Sequence, residues 1–200
     1  MKNLALTAGT LLLSTLGFAQ IEDQFSIGPR LGINIATLSN VTDNKSLVGF
    51  AAGLTSTYSF NETSGLTVDL LYSGEGVAHE FSDSKVKLGY LLVPIYYDLF
   101  FGELGSAFRP KVYVGIAPAF LISAKQDGDD IKDTFSSFNF SFSAGGGVNY
   151  RISDRVWLNG DLREFIGLTD VRDKDLQEGD TVASRNIQIS VGVAYGLSKI

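Results

Sequence analysis

The sequence predicts an all-β fold: an eight-stranded, antiparallel, up-and-down transmembrane β-barrel. Three observations carry that expectation. Eight stretches alternate bulky apolar residues with small or polar ones at period two. The segments between them alternate long and short. The chain opens like an export signal, and no later run is apolar over the roughly 20 residues a spanning helix needs.

The stretch Tyr90 to Phe101, YLLVPIYYDLFF, shows the pattern most fully. Leu91, Val93, Ile95, Tyr97, Leu99 and Phe101 share one face; Tyr90, Leu92, Pro94, Tyr96, Asp98 and Phe100 share the other. A helix fits poorly, because an interior proline removes a donor and clashes with the preceding turn.

Taken in order, the first strand is expected over Phe25 to Thr37, with Phe25, Ile27, Leu31, Ile33 and Ile35 opposite Ser26, Gly28, Arg30, Gly32 and Asn34. Ser39 to Ser46 reads as a loop. The second, Leu47 to Ser59, sets Val48, Phe50, Leu54 and Tyr58 against Gly49, Ala51, Gly53, Thr55 and Thr57. A tight turn at Asn61 to Thr63 leads to the third, Gly65 to Ser73, where Asp69 lies on the polar face. Gly74 to Val86 reads as a long loop before the Tyr90 strand. The short link Gly102 to Phe108 precedes the fifth, with Val112, Val114, Ile116, Phe120 and Ile122 opposite Lys111, Tyr113 and Gly115.

Ala124 to Ser137 is polar and acidic, an expected loop. The sixth strand, Phe138 to Tyr150, alternates most regularly, and Arg151 to Arg155 is a short turn. The seventh, Val156 to Leu168, carries Asn159, Asp161, Arg163 and Phe165 on one face; Thr169 to Ser184 is a charged loop. The eighth, Arg185 to Leu197, alternates Ile187, Ile189, Val191 and Val193 with Gln188, Ser190, Gly192 and Ala194.

In a meander, alternating connection lengths put all long loops at one end. Outer-membrane barrels have that asymmetry, with short periplasmic turns and longer outward loops. Faces rich in glycine, alanine, serine and threonine suit a narrow interior, and aliphatic faces ending in aromatics suit lipid. The competing soluble sandwich or lipocalin-like barrel would put charge on the outward face, whereas here the apolar face is bulky along every strand.

Lys2, the apolar run Leu4 to Leu16, and Gly17 and Ala19 before Gln20 read as a signal peptide over residues 1–19, leaving residues 20–200 as one barrel domain. No cysteine is present, so neither disulfides nor thiolate metal sites are available. Loss of residues 1–19 removes Lys2 and no acid, leaving 15 basic against 22 acidic residues. That balance argues against nucleic acid, whose phosphates call for a basic footprint. The expected location is the cell outer membrane, with its lipid as the first partner.

The sequence resembles the PorT-like outer-membrane β-barrel proteins of Bacteroidetes. The likeness lies in GPRLGINIATLS at Gly28, GFAAGL at Gly49, TVDLLYSGEG at Thr67 and YLLVP at Tyr90. It continues in VYVGIAPAFLISAK at Val112, DLREFIGLTDV at Asp161 and the closing IQISVGVAYGL. Asp69 departs from a common glutamate and Asp98 from a frequent lysine of that family. The resemblance implies outer-membrane residence; a role in type IX secretion belongs to the founding member.

Six charges fall on the inward faces: Arg30, Asp69, Asp98, Lys111, Asp161 and Arg163. They form either a polar lumen that passes something small or a self-satisfied network. The network is expected, since an eight-stranded barrel is filled by its own side chains and buried charge needs a partner. Asp127, Asp129, Asp130 and Asp133 offer oxygens to calcium but lack an EF-hand spacing, so a solvated loop is expected and no metal or cofactor. His79, the single histidine, lies near Glu80, Ser82 and Ser84 without triad geometry, and no enzyme is expected. Phe81 and Phe135 mark either a partner contact or the covering of loop bases.

The expected role is structural or interaction-based, with outward loops presented to partners or ligands, among them envelope or secretion proteins. The alternatives are an accessory of a type IX-like secretion system and a narrow pore or small-ligand-binding barrel.

Overall fold

The computed structural model describes residues 24–39, 44–79, 84–103, 106–172 and 182–197. Ten strand segments follow in order: β1 (Gln24–Leu38), β2 (Asn44–Ser59), β3 (Ser64–His79), β4 (Lys85–Leu92), β5 (Ile95–Phe100), β6 (Phe108–Gln126), β7 (Asp129–Asp130), β8 (Phe138–Ser153), β9 (Val156–Gly167) and β10 (Ser184–Gly196). They make eight staves, because β4 and β5 are one stave interrupted at Pro94 and β7 is an outgrowth of β6.

Every stave pairs antiparallel with its chain neighbour, and β1 pairs β10 from Ser26 opposite Gly196 to Leu38 opposite Ser184. The sheet is therefore closed. Closure leaves no edge of unpaired backbone groups, which lipid could not satisfy. The tight turn after β2 is built by Asn61, whose Oδ1 accepts from the backbone N–H of Thr63 and of Ser64, each at 2.9 Å.

The faces separate cleanly. Leu31, Ile33, Val48, Phe50 and Leu162 are all more than half exposed, whereas Arg30, Asn34, Thr55, Asp69, Ser73, Asp98 and Gln188 are at most 3% exposed. The bulky face is thus outside and the polar face inside, the inverse of a soluble barrel. Phe101, Phe108 and Tyr150, near the short turns, and Phe50, Phe120 and Phe138, nearer the loops, are exposed aromatics bracketing the aliphatic band.

Three boundaries need correction. Most of the expected loop from Gly74 to Val86 is strand, since β3 runs on to His79 and β4 begins at Lys85. These strand ends reach beyond the roughly 9–11 residues that cross a bilayer, where no lipid-facing apolar signal marks them. The acidic stretch after Ala124 is not all loop: Asp127 (φ 53°) and Gly128 (φ 109°) make a left-handed turn that folds Asp129 and Asp130 back onto Gln126 and Lys125. The Tyr90 stave divides, because Pro94 has no N–H to give; its carbonyl still accepts from Asp69 N–H at 3.0 Å.

The interior is also less uniformly small than expected. Towards the loops, Leu71, Leu88, Tyr90, Leu92, Leu121 and Phe165 pack into a buried cluster with Ala117, Ala119 and Ala124. Ile131 and Phe135 cover it from the 127–137 loop, so Phe135 caps the barrel. The 1–19 segment, Glu80, Phe81 and Ser82 lie outside the described residues.

Candidate functional site

The barrel's middle layer brings the six inward charges together. Each sits on an inward position of its stave: Arg30 on β1, Asp69 on β3, Asp98 on β5, Lys111 on β6, and Asp161 and Arg163 two residues apart on β9. All six are at most 5% exposed. Lys111 Nζ lies 3.8 Å from Asp98 and 3.0 Å from Asp161. Arg30 Nη1 donates to the other oxygen of Asp161 at 2.6 Å, and Arg30 Nε is 3.6 Å from Asp69. Arg163 Nη1 donates to the same Asp69 oxygen at 2.7 Å. Acid and base alternate from Asp98 through Lys111, Asp161, Arg30 and Asp69 to Arg163.

Neutral side chains complete the layer. Arg30 donates to Thr55 Oγ1 at 3.2 Å and Ser190 Oγ at 3.1 Å, and Arg163 donates to Tyr96 Oη at 3.4 Å. The Arg163 guanidinium lies 5.3 Å from the Tyr96 ring centre, and Lys111 Nζ lies 5.0 Å from that of Tyr113. No water-sized void remains among these side chains. Thr55, Tyr96, Tyr113 and Ser190 were not singled out from the sequence; their signal is that each shares the inward parity of a charged neighbour.

Above this layer, one wall is apolar and the other polar. Gln188 donates to Asn34 Oδ1 at 2.8 Å, and Asn34 Nδ2 donates to Ser73 Oγ at 2.9 Å. Glu75, which the alternation does not mark because it lies beyond the expected end of the third strand, accepts from Ser73 (3.1 Å), Ser184 (2.8 Å) and Asn186 (3.3 Å). Further out, Asp170 clasps the loops. It accepts from Arg172 Nη2 at 2.7 Å and from Val182 N–H at 3.1 Å, while Ser136 N–H donates to Val171 O at 2.8 Å. Hydrogen bonding from the Arg172 side chain, above all, holds the Asp170 carboxyl down at about 2.

The other candidates do not assemble. Among the described residues no group of three or more acidic or histidine side chains is placed to hold a metal ion. Asp127 instead accepts from Ser84 Oγ at 2.6 Å and Lys85 N–H at 2.8 Å, fastening the base of the second loop. His79 ends β3 opposite Asn44. Two of its suggested companions, Glu80 and Ser82, lie outside the described residues.

Residues 18–173 match the family described as "Outer membrane protein beta-barrel domain". The chain belongs to that family. This outer-membrane barrel is similar to solved structures at low identity, which shows a shared fold. Neisserial surface protein A superposes with a TM-score of 0.62 at 20% identity, covering 86% of this chain and 96% of that one. OprG from Pseudomonas aeruginosa gives 0.59 at 16% identity, covering 88% and 96%. Ail of Yersinia pestis, in complex with the heparin analogue sucrose octasulfate, gives 0.50 at 14% identity, covering 88% and 100%. No curated protein sequence matches it. The outward apolar band of this barrel therefore meets the lipid of the outer membrane.

Proposed function

We propose that this outer-membrane barrel is a closed, non-enzymatic display scaffold, whose acidic outward loops contact partners. The alternating chain of ion pairs across the middle layer, with no water-sized void among its side chains and a cavity of about 60 Å³ only on its short-turn side, carries that reading. A lumen blocked at its middle layer leaves the outward surfaces as the working parts. The four outward connections, residues 39–43, 80–84, 127–137 and 168–183, contain twelve acidic and three basic residues. That excess favours basic partners and disfavours polyanions such as the heparin analogue bound by Ail.

The test is conductance of the refolded barrel in planar bilayers, paired with binding of a cationic peptide to barrel-bearing liposomes. Silent bilayers with salt-sensitive peptide binding, weakened by Asp129→Asn with Asp130→Asn and Asp133→Asn, are expected. Discrete current steps would favour the narrow pore instead. The PorT-like motifs from Gly28 to Leu197 support a second reading, an accessory of a type IX-like secretion system in Bacteroidetes. Co-purification of secretion components from native membranes tests it. Residues 1–19 act in both readings as the signal peptide, and N-terminal sequencing of the membrane-borne protein is expected to begin at Gln20.

A further inference from the structure

On the outer wall, between the apolar band and the loops, three lysines crowd onto two neighbouring staves. Lys85 and Lys87 share the outward parity of Leu91 on β4, and Lys125 lies directly opposite Lys87 on β6. All three are exposed. Lys87 stands four residues beyond Leu91 and Lys125 three beyond Ile122, the last outward apolar residues of their staves. Hydrocarbon gives way to headgroups at that height, and flexible lysine stems let the ammonium groups reach back towards it.

Like charges directly opposite on adjacent strands repel, so the Lys87–Lys125 pair is unfavourable without an anion beside it. The protein supplies little. On the opposite wall Arg185 has Glu164 at 2.6 Å, but among the described residues Lys87 and Lys125 make no ion pair. Asp130 lies opposite Lys125 on β7, yet its Oδ1 accepts from the backbone N–H of Lys132 at 2.9 Å.

Just below the two ammonium groups the wall is bare and hydroxylated. Gly89 faces Ser123 on one side and Gly74 on the other, and Gly76 lies opposite Lys87. A Cβ on Gly89 would lie 2.6 Å from Ser123 Oγ and 2.9 Å from Tyr72 Oη, so both hydroxyls converge over this glycine. The Tyr72 ring packs on exposed Phe50 at 5.2 Å between centres, which joins this floor to the aromatic edge of the lipid band. Two ammonium groups above two hydroxyls form a donor set for a phosphate, which takes charge-assisted hydrogen bonds from lysine.

We propose that this patch holds the phosphate of an outer-leaflet lipid headgroup on Lys87 and Lys125, with Tyr72 and Ser123 beneath it. Lys85 adds charge above. The occupant is a lipid and not free phosphate, because the same wall, from Leu91 and Ile122 downwards, receives acyl chains. The site is on the outside of the barrel and stands apart from the display role of the loops.

Refolded barrel in detergent is incubated with diphosphoryl lipid A, or with lipid A stripped of both phosphates, and retained lipid is read by native mass spectrometry. Retention of the phosphorylated lipid is expected to be at least several-fold greater. Lys87→Gln with Lys125→Gln, in protein that still shows heat-modifiable migration, is expected to lose that preference. Arg151→Gln with Arg185→Gln removes equal charge elsewhere and is expected to keep it. Equal retention of the stripped lipid by the unaltered protein would overturn the phosphate site. Equal loss in the two double variants would overturn its placement, and displacement by inorganic phosphate at the lipid's own concentration would overturn the lipid as occupant.

Discussion

Arg163 and Asp69 show what a charge costs inside this wall. Both are at most 2% exposed, so removing one leaves the other desolvated. Arg163→Met strips the 2.7 Å partner from Asp69 and leaves Arg30 Nε at 3.6 Å as its ion-pair partner among the described residues, beside a hydrogen bond from Thr55. A destabilisation of about 3–5 kcal/mol is expected, read from urea unfolding in lipid vesicles. Adding Asp69→Asn should cost less than the two changes summed; strict additivity would mean that the pair is not coupled. Arg185 and Glu164 are closer still, at 2.6 Å, but their side chains are 62% and 37% exposed. Arg185→Ala is accordingly expected to change stability by less than about 1 kcal/mol. The inward parity of each charge was legible in the sequence. Its partner was not: Arg30 and Asp161 are 131 residues apart, and only ring closure makes them neighbours.

At the scale of the element, the close approach of staves constrains glycine. A Cβ on Gly115 would lie 1.9 Å from the Ile95 carbonyl oxygen, and one on Gly28 would lie 1.7 Å from that of Val193. Backbone atoms on a neighbouring stave cannot yield as a side chain does. Gly115→Val is therefore expected to lower the fraction that refolds to the fast-migrating, unboiled form. The loop clasp offers a separate test. Asp170 is held low by Arg172, so its contribution to order is complete above an unfolded carboxyl value of about 4 and is lost as pH falls through about 2. The amide resonances of Arg172 and Val182 should titrate together over that window, and Asp170→Asn should abolish the step. These elements were unequally legible. Alternation disclosed the staves wherever lipid requires a bulky face. It did not disclose Gly74 to His79, because that part of β3 stands beyond the apolar band and is held by its neighbours and by Glu75's contacts.

At the scale of the whole molecule, the lumen is closed twice. The charged layer fills the middle, and the cluster of Leu71, Leu92, Leu121 and Phe165, covered by Ile131 and Phe135, blocks the end beneath the loops opposite the hydrogen-bonded wall of Gln188, Asn34, Ser73 and Glu75. The first seal was half legible, as charges on inward positions. The second was not, because apolar residues on an inward face look the same in the sequence as a lapse in alternation. The two seals make a distinct expectation for conductance. Arg30→Ala with Lys111→Ala and Asp161→Ala removes the centre of the ion-pair chain, and joins that layer to the cavity beneath it. The variant remains shut at the other end, since the apolar cluster offers an ion no ligand and the polar groups of the opposite wall, Gln188, Asn34, Ser73 and Glu75, are hydrogen-bonded to one another. It is expected to be silent in planar bilayers, and to conduct only when Leu92→Ser and Phe165→Ser are added. Current from the first variant alone would show that the apolar cluster leaks and that the charged layer is the sole barrier.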